Sequence, residues 1–290
     1  LLANGTWKDV VISLTGQGTA GFPITVGAQT PGKVILTGSS RAQIGGRYLE
    51  LRDLVFSGAY TGSEDEVIQF RTTGSNPASD SRVTNISLLN YVPASGARTA
   101  WVAFYGQRNR LDHSYLKGHD VSGVTVVVWP DGTPNDHRID HNHFADRKNG
   151  GGENGWETIR VGTSDVSMSS SRTVVEHNLL TRVDGEIEMI SNKTGDNIYR
   201  YNTFLECSGT LTLRHGNRCV VDSNFFLGGG RSGSGGVRVI GEDHVVVNRT
   251  NRGRHFGLRR RGEQPVERVF CRAQRDRDAQ HVCGQHGSRH

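Results

Sequence analysis

The segments 109–116 (NRLDHSYL), 137–144 (HRIDHNHF), 172–180 (RTVVEHNLL), 197–204 (NIYRYNTF) and 217–226 (NRCVVDSNFF) repeat one pattern, which 243–248 (DHVVVN) echoes. An apolar or β-branched run leads to a small polar residue, usually Asn, and one residue later to Phe or Leu. Asn142, Asn178, Asn202, Asn224 and Asn248 follow one another at spacings of 36, 24, 22 and 24 residues. Between them lie further strand-like runs: TVVVW (125–129), ETIRVG (157–162), EIEMIS (186–191), TLTLRHG (210–216) and GVRVIG (236–241). Two or three short strands per repeat, without helical periodicity, predict an all-β fold: a single-stranded, right-handed parallel β-helix. Stacked coils set equivalent residues about 4.8 Å apart. An asparagine recurring at one turn is then expected to form an internal amide ladder and to tolerate left-handed backbone geometry there. Upstream, VVISL, ITVGAQ, VILTG and LELRDLVFSG within residues 10–58 fit more coils with looser spacing.

Composition agrees with many short strands and tight turns: 38 glycines and 7 prolines among 290 residues. No apolar run approaches the roughly 20 residues of a membrane span. The chain opens at Leu1-Leu2-Ala3 without a methionine and is expected to lack its natural start. The net charge of +5 is unevenly placed. Residues 249–290 hold 11 arginines, no lysine and 4 acids, a balance of +7; the remaining 23 basic and 25 acidic residues give −2. The body therefore lacks the basic footprint of a nucleic-acid partner. Cys207, Cys219, Cys271 and Cys283 form no CxxC pair, which argues against zinc, and the first two read as small buried residues.

Chemistry concentrates between Asp184 and Gly241. Glu186 and Glu188 are two apart, so one strand face presents both, and they can share a hard cation such as Ca²⁺. Lys193, Arg214 and His215 follow, the latter pair about one repeat further on. Lys193 is odd-numbered where the acids are even, so a corner or bulge near Ser191-Asn192 is expected to bring it to their face. By contrast His113, His137, His141, His143 and His177, with Asp112 and Asp140, keep the repeat register and read as scaffold.

EIEMISNKT (186–194), GTLTLRHGN (209–217) and GGVRVIGEDHVVVN (235–248) resemble polysaccharide lyase family 6, which holds alginate lyases and chondroitinase B. NGTWKD (4–9), ITVGAQTPGKV (24–34) and LELRDLVFSGAY (49–60) fit the same family. The look is closer to the alginate lyases. The resemblance implies a pectate-lyase-like solenoid, a secreted or periplasmic setting, and Ca²⁺-dependent β-elimination of an acidic polysaccharide, alginate. It implies metal ligands Glu186, Glu188 and an asparagine, for which Asn154 is the choice and Glu157 the competitor. It also makes Lys193 the base and Arg214 the group at the leaving oxygen. A cation and Arg214 would both disfavour the ammonium form of Lys193. His215 is expected to orient substrate or assist proton transfer, and Arg238 to reach the carboxylate of an adjacent sugar. Two alternatives stay open: a lyase on dermatan or chondroitin sulfate, and a non-catalytic carbohydrate-binding β-helix.

The resemblance stops after Asn248. Residues 249–290 show neither alternation nor a ladder asparagine, and their Arg, Gln, His and Gly content looks like a shifted reading frame, or else a disordered basic arm that binds polyanions. The expected organisation is thus a β-helical domain over 1–248 and a basic tail over 249–290.

Overall fold

A computed structural model describes residues 1–247 and 268–271. Asn248 and nearly all of the expected tail lie outside the described residues; within it, Arg268–Cys271 pairs antiparallel with His244–Val247. Among the described residues the regular elements are all strands, apart from a single 3₁₀ turn at Ser164–Val166. No described helix is long and apolar enough to cross a membrane.

The strands fall into three sheets of nine, eleven and ten members, and a regular coil contributes one strand to each; between Glu66 and Ser79 three consecutive strands join the eleven-stranded sheet. One coil runs Val174–Glu176, Leu179–Val183, Glu188–Asn192 and then returns to the first sheet at Ile198–Arg200. Successive coils pair in parallel, so the chain forms the expected right-handed parallel β-helix. Three-residue strands suffice because register, rather than strand length, supplies the burial. In the ten-stranded sheet Val83, Leu111, Ile139, Val175, Tyr199 and Val221 stack in one column. In the eleven-stranded sheet Ile68, Val102, Val126, Ile159, Ile190 and Leu211 do the same. All are buried in one continuous core, at roughly 25 cal/mol for each Å² of apolar surface removed from water.

The asparagine ladder turns the corner between two of the sheets. The side-chain amide of Asn142 donates to Asn178 Oδ1 (3.1 Å), that of Asn178 to Asn202 Oδ1 (3.0 Å), and that of Asn202 to Asn224 Oδ1 (2.9 Å). The left-handed backbone expected at these asparagines sits one residue earlier, at His141 (φ 55°), His177 (φ 54°), Tyr201 (φ 56°) and Ser223 (φ 52°). That residue makes the turn outward, which leaves the asparagine side chain free to point inward. The histidines at these turns stack outside: His113 on His141, His141 on His177, and His177 on Tyr201. Asp112 and Asp140 are fully buried ion-pair partners of Arg82 and Arg110, as scaffold residues would be. Cys207 and Cys219 are free and buried, with thiols pushed up to about 11 by burial.

Candidate active site

The outer face of the eleven-stranded sheet gathers the residues singled out by the sequence. Glu188 pairs with Thr210 and Ile190 with Leu211, so Met189 is an extra residue on its strand. This bulge shifts the alternation by one. Glu188 and Ser191 then share the outer face, and Ser191 Oγ donates to Glu188 Oε2 at 2.6 Å. Lys193, two residues further, follows Ser191 outward. The offset lies two residues before Ser191, at a position where the core absorbs the additional side chain: Met189 is 2% exposed.

Glu157, Glu186 and Glu188 are all buried, whereas Ile187 between the last two is 67% exposed. Gly185 brings the strand close to the preceding coil, since a Cβ there would sit 2.0 Å from the Trp156 carbonyl oxygen. That carbonyl is held by Arg147 Nε (2.7 Å), a buried guanidinium that also braces the 119–123 loop. Burial first, and then the like charges of Glu157 and Glu188, push the Glu186 carboxyl up to about 7. Glu157 Oε2 is buried without a hydrogen-bond partner, and its Oε1 lies 3.8 Å from Lys193 Nζ.

Glu188 is differently engaged. Arg214 Nη1 donates to its Oε1 at 2.8 Å and Arg238 Nη1 to the same atom at 3.4 Å. The Glu188 hydrogen bond raises Arg214 beyond the usual guanidinium range, so this group holds its proton. His215 Nδ1 is buried and unpartnered; burial, then Arg214 and Lys193, depress its pKa and keep the imidazole neutral at neutral pH.

Oxygen donors of this kind suit a hard divalent cation. Glu157 and Glu186 fit one: the first has an unpartnered buried oxygen, the second a carboxylate destabilised by its neighbours. The two arginines on Glu188 compete with the role expected of it. Among the described residues, no three or more His, Cys, Asp or Glu side chains are already drawn together as a metal cage. Of the two competing ligands, Asn154 is exposed in the turn ahead of Trp156 and Glu157 is buried.

The family model described as chondroitinase B matches residues 1–264. This chain belongs to the chondroitinase B family. Among solved structures it is similar to the polysaccharide lyase family 6 alginate lyase AlyGC, with 44% identity over 85% of this chain and a TM-score of 0.82. It is also similar to a mannuronic acid specific family 6 lyase from human gut microbiota, at 36% identity, 85% coverage and a TM-score of 0.81. A family 6 alginate lyase in complex with a trisaccharide matches at 26% identity over 87% of this chain, with a TM-score of 0.76. The chain spans 34% of the first of these proteins, 57% of the second and 54% of the third. No protein of curated function matches it.

Two residues of this chondroitinase B family member escaped the sequence reading. Asn192 occupies a column otherwise formed by Val128, Val161, Leu213 and Val239, and is fully buried. Its amide nitrogen donates to the carbonyls of Thr194 and His215, and its oxygen accepts from Asn197 Nδ2 and Tyr199 Oη, all at 2.8 Å. A satisfied polar hub of this kind fixes the backbone on both sides of Lys193 and at His215. Its only sequence signal was an amide at an inward strand position. Arg160, the second, is in register with Ser191 on the outer face yet only 9% exposed.

Proposed function

We propose that this chain carries the cleavage face of a lyase acting on poly-uronate chains, alginate first among them, by β-elimination. The observation that carries the reading is the convergence of Lys193, Arg214, His215 and Arg238 on one face with the buried acids Glu157, Glu186 and Glu188. The names of the similar structures, alginate lyases and one trisaccharide complex, support the substrate class.

The reaction removes the C5 proton of a uronate, forms the C4–C5 double bond from that electron pair, and expels the C4 oxygen. Lys193 is the base. Arg214, a guanidinium that holds its proton, stabilises the leaving oxygen by charge and hydrogen bonding while water supplies the proton. Arg238 holds the carboxylate of a neighbouring sugar, and Glu188 keeps both guanidinium groups aimed until substrate arrives. His215, neutral and adjacent, is the second candidate for the base. A calcium ion held by Glu186 and Glu188, with Glu157 or Asn154, would offset the charge that builds on the uronate carboxylate. A polymeric substrate of this kind is met outside the cytoplasm, so we place the protein in the secreted or periplasmic class.

The test is ultraviolet absorbance of the unsaturated product on alginate and on dermatan sulfate, with and without chelator. Calcium-dependent product from alginate is expected. Product from dermatan sulfate alone would move the assignment to the sulfated chains, and none from either substrate would leave a carbohydrate-binding β-helix.

A further inference from the structure

The row that holds Lys193 does not end there. Phe104, Val128, Val161, Asn192 and Leu213 are in register, so the residues that follow them form one outer row: Tyr105, Trp129, Gly162, Lys193 and Arg214. Gly162, with φ +97°, contributes no side chain to the row, and a Cβ there would sit only 2.5 Å from Thr194 Cγ2. Strand spacing puts Trp129 about 10 Å and Tyr105 about 14 Å from the Lys193 position.

Both rings are tied at their polar tips and covered by cations on their faces. Trp129 Nε1 and Tyr105 Oη donate to the same oxygen of Glu66, at 3.1 and 2.7 Å. The Arg160 guanidinium lies 4.8 Å over the Trp129 ring, and the Arg71 guanidinium 3.7 Å over the Tyr105 ring. Arg160 Nε is buried without a hydrogen-bond partner. A charged group withdrawn from water is costly, and an anion arriving at its terminal nitrogens would offset that charge. Stacking fixes the plane of each guanidinium, which is the geometry that a carboxylate meets with two parallel hydrogen bonds.

We propose that Arg160 and Arg71, propped on Trp129 and Tyr105, bind successive carboxylates of a polyanionic sugar chain on the N-terminal side of the cleavage residues. This rests on the poly-uronate reading above. Glu66 is the positioning residue that anchors both rings.

Calorimetric titration of size-fractionated alginate oligomers, with full-length protein carrying Lys193→Ala to prevent turnover, tests it. Arg160→Ala or Arg71→Ala is expected to weaken long oligomers by about tenfold or more, the loss of one charge-assisted contact, while short oligomers bind as before. Arg160→Lys should not restore binding, because an ammonium lacks the fork. With Lys193 intact, the loss falls on KM for long substrates; a fall in kcat with KM unmoved overturns the proposal. Each variant must melt cooperatively at the parent temperature, and Trp129→Phe, which keeps a ring under Arg160, should bind better than Trp129→Ala. Equal losses on long and short oligomers overturn the clamp but leave the cleavage site standing. If the parent protein binds no uronate oligomer of any length, the poly-uronate reading itself falls.

Discussion

Lys193 and Arg214 sit on adjacent coils because the bulge at Met189 sets the phase of one strand and register sets the next. Lys193→Ala should lower turnover on the order of 10²–10⁴, the range for a positioned base, with substrate binding retained. Near-parental single-turnover elimination by that variant would hand the role to His215. Arg214→Lys should also fail, since a point charge cannot hold both Glu188 and a leaving oxygen. For the metal ligands, Glu157→Gln and Asn154→Ala separate two readings of one turn. Glu157 is 2% exposed beside Glu186, so its substitution is expected to weaken calcium more than that of Asn154. The reverse order in a calcium titration would make the exposed amide the ligand. At this scale the sequence disclosed residue types well, because Glu-x-Glu, Lys and Arg-His recur at coil spacing. It hid Arg160, whose ring partner Trp129 comes from the preceding coil, and Asn192, whose partners meet it only once the turn after Lys193 and the next coil are folded.

At the scale of the element, the ladder asparagines carry more than a turn preference. Asn178 Oδ1 accepts from both the backbone N–H and the side chain of Asn142, while its own amide nitrogen reaches Ile139 O and Asn202. Asn178→Ala leaves several buried groups on three coils without partners, so a loss on the order of 2–4 kcal/mol is expected. Urea unfolding measures it; a change under about 0.5 kcal/mol, typical of surface sites, would show that the ladder is ornamental. The coil repeat was readable because a solenoid writes its register into sequence as spacing. The Met189 bulge was harder to locate: a bulge is defined by the partner strand, and Met189 looks like any apolar residue in an alternating run. The sequence required an offset between the acids and Lys193 but could not say which residue the core would absorb.

At the scale of the molecule, a solenoid's stability is close to a sum of coil and neighbour terms, so a charged cluster between two coils acts on the whole stack. Glu186 is that cluster's most perturbed member, raised from 4.5 to about 7. The unfolded chain releases this proton at the lower value and the folded chain at the higher. The stabilisation from this group is therefore fully present below pH 4.5 and is lost as pH rises through about 7. The amount is on the order of 3 kcal/mol, from 1.36 kcal/mol per unit of pKa. A cation that binds the ionised carboxylate reverses the trend. In chelator, the melting temperature should fall across that pH window; with calcium the fall should shrink, so the calcium-induced gain grows with pH. Glu186→Gln, isosteric and uncharged, should flatten the chelator curve and abolish most of the gain. Thermal melts of the two proteins at several pH values, each with and without calcium, decide the matter. A calcium gain that stays constant across the window would show that the ion binds elsewhere, and the acid cluster would then be an arginine-holding device alone.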